Sequence, residues 1–143
     1  MISISTALSA FIAVSGVGSG IPETTYGSIT DANTAAATVQ STELAVREYF
    51  ADIPIMIEVA RCESTFRHTL ADGSVLTGRV DGRDTGVMQI NTYYHANTAE
   101  RLGLDVFELE DNMAYARHLY ETQGLQPWNA SRPCWGNTLA YNG

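Results

Sequence analysis

The sequence contains no lysine, and its eight basic residues are all arginines, against sixteen acidic residues. The formal net charge at pH 7 is therefore −8. Without lysine, the chain can neither form a lysine Schiff base nor bind phosphate through a P-loop lysine. Nucleic acids and anionic membrane surfaces are bound by clustered cations, which this acidic chain lacks. The composition therefore argues against nucleic acid as a partner.

Cysteine and histidine are also scarce. The two cysteines, Cys62 and Cys134, form no C-x-x-C pair, and the three histidines are scattered along the chain. This spacing argues against a zinc site, and we expect neither a metal nor an organic cofactor. The cysteines are either two reduced, buried thiols or one disulfide in an exported protein. The amino-terminal segment favours the disulfide.

The first forty residues differ from the rest of the chain. No charged residue precedes Glu23, and residues 2–18 are mostly apolar and small, which is typical of the hydrophobic region of a secretory signal peptide. The segment is richer in Ser and Thr than the ~20 strongly apolar residues of a full membrane span. We predict a signal peptide or membrane anchor over residues 1–20, a flexible linker over 21–42 and one domain over 43–143. The protein is then exported, to the periplasm, the cell wall or the extracellular space.

The remaining residues predict an α+β fold that is mainly α. Helices are expected over residues 43–52, 54–66 and 97–103, from a capping box at 105–108 to about residue 123, and near Trp128. Pro54 suits the first turn of a helix, and Gly124 suits a helix end. Between these helices, residues 71–91 contain two Asp-Gly turns and predict a small β-hairpin or three-stranded meander.

Glu63 stands out because it ends an apolar helix face formed by Met56, Val59 and Ala60. Desolvation on such a face raises the pKa of a carboxyl group. A carboxyl that stays protonated near neutral pH can donate its proton to the leaving oxygen of a glycosidic bond. Glycoside cleavage often needs a second, ionised carboxylate, and Asp84 in its polar turn is the natural candidate.

Four motifs then follow in order: C-E-S-T-F at 62–66, D-T-G-V-M-Q-I-N at 84–91, N-M-A-Y-A at 112–116 and G-L-Q-P-W at 124–128. Together they resemble the lysozyme superfamily, and in particular the catalytic domain of bacterial soluble lytic transglycosylases, over about residues 44–136. The resemblance implies a lysozyme-like fold with Glu63 as general acid/base. It also implies that Ser64, Met88, Gln89 and Asn91 line the glycan cleft beside the acid and that Trp128 packs near it. Tyr115 either contacts the sugar or packs on the long helix, and we include it and Trp128 among the candidate substrate-binding residues.

The resemblance predicts a lytic transglycosylase that cleaves the β-1,4 bond between N-acetylmuramic acid and N-acetylglucosamine in peptidoglycan. Many such enzymes lack a carboxylate where this chain has Asp84, so a hydrolytic lysozyme that uses both acids is the first alternative. A non-catalytic glycan-binding relative is the second alternative. A role in the assembly of a secretion or phage-tail machine, with residues 1–20 as a membrane tether, would fit any of the three.

Overall fold

The computed structural model describes residues 26–139, and the side chains of residues 31–137. This part of the chain contains five α-helices: α1 Tyr26–Tyr49, α2 Pro54–Ser64, α3 Thr92–Arg101, α4 Leu109–Gln123 and α5 Arg132–Leu139. A 3-10 helix, Gln126–Ser131, connects α4 to α5. Two short strands, β1 Asp84–Thr85 and β2 Ile90–Asn91, pair antiparallel. The prediction of a mainly helical α+β fold is confirmed.

The predicted linker over residues 21–42 is wrong from residue 26 onward, because α1 includes that stretch. No glycine or proline interrupts the chain between Gly27 and Pro54, and alanine is the strongest helix former. Thr38 and Thr42 add hydrogen bonds from their hydroxyls to backbone carbonyls one turn earlier. Local propensity therefore forms a helix even though none of the side chains of residues 31–37 is fully buried. Residues 1–20, predicted as a signal peptide or anchor, lie outside the described residues.

Helix α2 begins at Pro54 as predicted, and Met56, Val59 and Ala60 are fully buried on one face. It ends two residues earlier than predicted, because Thr65 and Phe66 adopt left-handed backbone angles with φ of 52° and 58°. Residues without a glycine's freedom seldom adopt this conformation, and tertiary packing must hold them there. The chain therefore turns sharply just after Glu63.

The predicted β-element is a hairpin formed by β1 and β2, in which Asp84 lies opposite Asn91. Isolated bridges join Thr77 to Thr85 and Thr69 to Val75, so the predicted third strand is reduced to single contacts. The hairpin loop contains Gly86 at φ 72°, a left-handed angle that glycine adopts without strain.

Helix α4 ends at Gln123 before Gly124, as predicted, but the predicted capping box at 105–108 does not form. Glu108 is the residue before the helix and makes no capping hydrogen bond with its side chain. Asp105 instead accepts a hydrogen bond from the backbone of Phe107, and Asp111 accepts one from the backbone of Asp105. The acidic residues therefore stabilise the loop before α4 and not the first turn of the helix itself.

One hydrophobic core joins the helices, and its largest fully buried side chains include Tyr115, Phe50, Met56 and Met88. A disulfide between Cys62 on α2 and Cys134 on α5 ties together two elements that are 72 residues apart, as predicted. Closing a loop of this length stabilises the folded state by about 4 kcal/mol in the chain-entropy model. Among residues 26–139, no helix is both long and apolar enough to cross a bilayer.

Candidate active site around Glu63

Glu63 lies on the last turn of α2, and its side chain is partly buried. Its Oε1 atom accepts a hydrogen bond of 2.6 Å from the hydroxyl of Ser131. Burial raises the pKa of Glu63 above its ordinary value, because the charged form loses hydration. The hydrogen bond from Ser131 lowers this pKa, and the nearby charge of Asp84 raises it. The net shift is upward, which is the direction that a general acid needs.

Asp84 is the second carboxylate of the site and occupies a different environment. Its Oδ1 atom accepts a hydrogen bond of 2.8 Å from the amide of Asn91, directly across the hairpin. The same amide also reaches Asp81 Oδ2 at 3.1 Å. The guanidinium of Arg83 holds the pKa of Asp81 at about 2, so Asp81 stays ionised. Asp84 is therefore held by a polar network, whereas Glu63 lies at the edge of the core.

Two tryptophans connect the 3-10 helix to the rest of the site, and both are almost completely buried. The indole of Trp128 donates a hydrogen bond of 2.9 Å to the backbone carbonyl of Met88, in the hairpin loop. The indole of Trp135 donates one of 3.0 Å to the backbone carbonyl of Trp128. Ser131 follows Trp128 by one turn, so these contacts fix its hydroxyl relative to both Glu63 and the hairpin.

Two buried polar side chains, Asn112 and His68, hold the hairpin loop in place through hydrogen bonds. Asn112 accepts a hydrogen bond from the backbone of Met88 and donates to the carbonyl of Thr85. His68 accepts one from the backbone of Val87 through Nδ1, so its hydrogen is on Nε2, which donates to the carbonyl of Phe107 at 2.8 Å. Burial lowers the pKa of His68, in agreement with the neutral ring that these two hydrogen bonds require. The hairpin loop is thus anchored to α4 and to the segment after α2.

The predicted substrate-binding residues separate into two groups. The first group is buried: the hydroxyl of Ser64 bonds to the carbonyl of Ala60 within α2, and the side chain of Met88 is fully enclosed. Tyr115 is also buried, with its hydroxyl 3.1 Å from Nδ1 of His95. These side chains, together with Trp128, are enclosed in the core beside the site, and contact of any of them with sugar stays a prediction.

Gln89 and Asn91 form the second group and are only partly buried. Gln89 has a left-handed φ of 50°, and its amide donates a hydrogen bond of 2.8 Å to the carbonyl of Gly86. Such strain costs of order 1–3 kcal/mol and persists only where the surroundings impose it. Asn91 orients Asp84 and caps α3 through the backbone of Tyr93. Both residues stay candidates for contact with a ligand.

Two tyrosines at the start of α3 extend the site beyond Asn91. Tyr93 and Tyr94 are 69% and 71% exposed, and their rings meet edge to face with centroids 5.0 Å apart. The guanidinium of Arg83 lies 5.1 Å from the ring centre of Tyr93. Exposed aromatic rings of this kind are able to stack against a ligand, and the Asn91 amide that contacts Asp84 lies two residues before Tyr93.

Sequence reasoning missed Ser131, Asn112 and His68 as structural parts of the site. Asn112 carried a signal, because it is a polar residue among the apolar positions of α4. Ser131 carried none, since its contact with Glu63 joins residues 68 positions apart.

A cavity of about 810 Å³ lies elsewhere, between α1 and the turn at residues 67–73, and Glu63 does not line it. Among the described residues, no cluster of three or more His, Cys, Asp or Glu side chains could hold a metal ion. Comparisons of this chain with models of known families, with curated proteins and with solved structures find no significant match.

Proposed function

We propose that this protein cleaves the β-1,4 bond between N-acetylmuramic acid and N-acetylglucosamine in peptidoglycan, with Glu63 as general acid/base. The observation that carries this proposal is the contrast between two neighbouring carboxyls. Burial raises the pKa of Glu63, while Asp84 is held by the polar amide of Asn91. Two acids whose environments differ in this way are the arrangement that glycoside cleavage uses.

The motif resemblance favours a lytic transglycosylase and a lysozyme-like fold as the finer form of the proposal. Glu63 protonates the leaving oxygen, and the C6 hydroxyl of the muramoyl sugar then closes onto its own C1 atom. Glu63 removes the proton of that hydroxyl in this second step, so the acid is restored. The product carries a 1,6-anhydromuramoyl end, and no water is consumed.

A hydrolytic lysozyme is the second candidate, and one observation favours it. The negative charge of Asp84 acts directly on Glu63, which requires the two carboxyls to lie near each other. With Asp84 as nucleophile or as stabiliser of the sugar cation, water resolves the intermediate and a reducing end results. Asp84 would then be essential, whereas ring closure by the C6 hydroxyl does not need a second carboxylate.

The exposed aromatic pair supports a carbohydrate ligand in either case. Tyr93 directly follows the Asn91–Thr92 step at the start of α3, and its backbone N–H donates to Asn91, the residue that contacts Asp84, while its ring is exposed. Sugar rings present apolar C–H faces that pack on aromatic rings, while their hydroxyls need polar partners such as Gln89 and Asn91. Peptidoglycan glycan strands are therefore the proposed partner.

Digestion of purified peptidoglycan, followed by mass analysis of the fragments, tests the proposal. We expect wild-type protein to release muropeptides at some pH between about 4 and 8, and Glu63→Gln to lose about 10²- to 10⁴-fold in rate, as for loss of a general acid. Glu58→Gln is the matched control, because it removes a carboxylate from the same helix that pairs with Arg61 instead of facing Asp84. Activity that survives in Glu63→Gln would contradict the proposal.

The same digest separates the two reactions and the non-catalytic alternative. Anhydro ends that persist in Asp84→Asn indicate a transglycosylase, and reducing ends that disappear in Asp84→Asn indicate a lysozyme. Wild-type protein that sediments with peptidoglycan without cleaving it would identify a glycan-binding relative.

Export to a compartment that contains peptidoglycan is part of the proposal. The Cys62–Cys134 disulfide supports it, because disulfides persist mainly in oxidising compartments. A membrane tether through residues 1–20, and a role in secretion or phage-tail assembly, stay predictions; the mass of the mature amino terminus tests the first of these.

A further inference from the structure

Ser131 has two acceptors within reach of a single hydroxyl hydrogen. Its Oγ atom lies 2.6 Å from Oε1 of Glu63 and 3.1 Å from the backbone carbonyl of Trp128. A serine hydroxyl carries one hydrogen, so it can donate to only one of the two at a time. The carbonyl of Trp128 also accepts from the indole of Trp135 at 3.0 Å and therefore keeps a partner when Ser131 turns to Glu63.

The geometry leaves the two oxygens of the Glu63 carboxyl unequal. Oε1 is occupied by Ser131, whereas no hydrogen bond from the described residues reaches Oε2. A hydrogen bond from a neutral donor to a carboxylate is shorter and stronger than one between neutral groups. Oε1 is therefore the oxygen held in place, and Oε2 is the oxygen left for a reacting ligand.

From this arrangement we propose that Ser131 is a positioning residue, which anchors Oε1 of Glu63 so that Oε2 carries the proton exchanged with the glycosidic oxygen. This inference rests on the proposed glycosidase function. When Oε2 gives its proton to the leaving oxygen, the negative charge that forms on the carboxylate is met by the Ser131 hydrogen on Oε1. When the proton returns to Oε2, Ser131 keeps the carboxyl in the same orientation.

The fold supports Ser131 in this position from three directions. The disulfide attaches Cys62, the residue before Glu63, to Cys134, three residues after Ser131. The buried indoles of Trp128 and Trp135 hold the 3-10 helix to the hairpin and to the start of α5. These contacts restrain the backbone on both sides of Ser131, so that its hydroxyl stays within hydrogen-bonding distance of the Glu63 carboxyl.

The charges around Glu63 allow the contribution of Ser131 to be isolated. Asp84 on β1 is the charged group that acts on Glu63, and the 3-10 helix carries no charged side chain. The charged groups on α2 and on the elements packed against it are the ion pairs Arg61–Glu58 on α2 and Arg47–Glu43 on α1, with Asp31 and Glu48 on α1 and Arg132 on α5. Removal of the Ser131 hydroxyl changes none of these charges.

The test is a pair of measurements on Ser131→Ala. The first follows the Glu63 carboxyl by ¹³C NMR as a function of pH, which needs no enzymatic activity. We expect its titration midpoint to move to higher pH, because the hydrogen bond that lowers the pKa of Glu63 is lost. The second is the pH–rate profile of digestion, where we expect kcat to fall about 10- to 100-fold and the alkaline limb to move in the same direction as the NMR midpoint.

Two further variants keep the result interpretable. Ser131→Thr retains the hydroxyl and should restore both the NMR midpoint and most of the activity. Thr122→Ala removes a hydroxyl that bonds only to the backbone of α4, and it should change neither quantity. An unchanged Glu63 midpoint in a folded Ser131→Ala protein would overturn the positioning role, even if activity fell. If Ser131→Ala shifts the Glu63 midpoint but the wild-type protein never cleaves peptidoglycan, the contact between Ser131 and Glu63 is supported and the proposed function is overturned instead.

Discussion

Gly86 is the position where one added methyl group most directly perturbs the packing beneath the candidate site. A Cβ atom at Gly86 would lie 2.6 Å from Asn112 Nδ2 and 2.7 Å from His68 Cε1, both closer than real Cβ atoms come to other side chains. Its φ of 72° also lies in the left-handed region. Gly86→Ala is therefore destabilised by two separate effects, backbone strain and steric overlap with buried polar groups.

The magnitude of each effect follows from known costs. The left-handed conformation costs a residue with a Cβ roughly 1–2 kcal/mol relative to glycine. Overpacking a buried site typically costs a further ~1–3 kcal/mol, since Asn112 and His68 must move away from the groups they bond. We therefore expect Gly86→Ala to lower the free energy of unfolding by about 2–5 kcal/mol.

Gly103→Ala is a control matched for backbone angle. Gly103 has a φ of 74°, and a Cβ there would meet no atom within 4 Å. This variant should lose only the ~1–2 kcal/mol of backbone strain. Equilibrium urea unfolding, followed by tryptophan fluorescence, gives both free energies. Equal losses in the two variants would refute the inference that Asn112 and His68 pack tightly against the hairpin loop.

Two further predictions concern pH and redox state. Burial lowers the pKa of His68 in the folded protein, so the unfolded chain binds a proton at higher pH than the folded one, and the free energy of unfolding should fall as the pH drops below the ordinary value of 6.5. Urea unfolding between about pH 5 and 7.5 should show that this free energy depends less steeply on pH in His68→Gln than in the wild type. Equal slopes in the two proteins would contradict this prediction. Reducing the Cys62–Cys134 disulfide, or replacing both cysteines with serine, should lower the free energy of unfolding by about 4 kcal/mol. Because Cys62 precedes Glu63, the same change should also slow peptidoglycan digestion. A loss of unfolding free energy below ~1 kcal/mol would show that the disulfide contributes little to stability.

Much of the fold could be predicted from residues close together in the sequence. The apolar spacing of Met56, Val59 and Ala60 identified α2, and Pro54 marked its start. The first half of α1 could not be found in this way, because the side chains of residues 31–37 are mostly exposed and an amphipathic pattern was the signal being sought. Helix propensity formed that helix without a buried stripe.

The candidate site shows the same division between short-range and long-range effects. A carboxyl on an apolar helix face singled out Glu63 as the candidate acid, and a polar turn singled out Asp84 as the candidate second carboxylate. The buried positions of Ser64 and Met88 were not evident, because a motif shows which residues occur together and not which way each side chain points. In Met88 the backbone carbonyl, and not the side chain, makes the contact with Trp128.

By itself, the sequence determined the helical class of the domain and singled out the acid on which a glycosidase hypothesis depends, since both follow from residue identity and local spacing. It favoured a disulfide between its two cysteines, but the packing of α5 on α2 brought these two residues, 72 positions apart, together. Only the tertiary structure decided that Ser131 holds Glu63, and that Asn112 and His68 hold the hairpin that carries Asp84. These hydrogen bonds join residues that are 19 to 68 positions apart. Packing of the helices sets which polar groups meet at such distances along the chain, and no local preference encodes it.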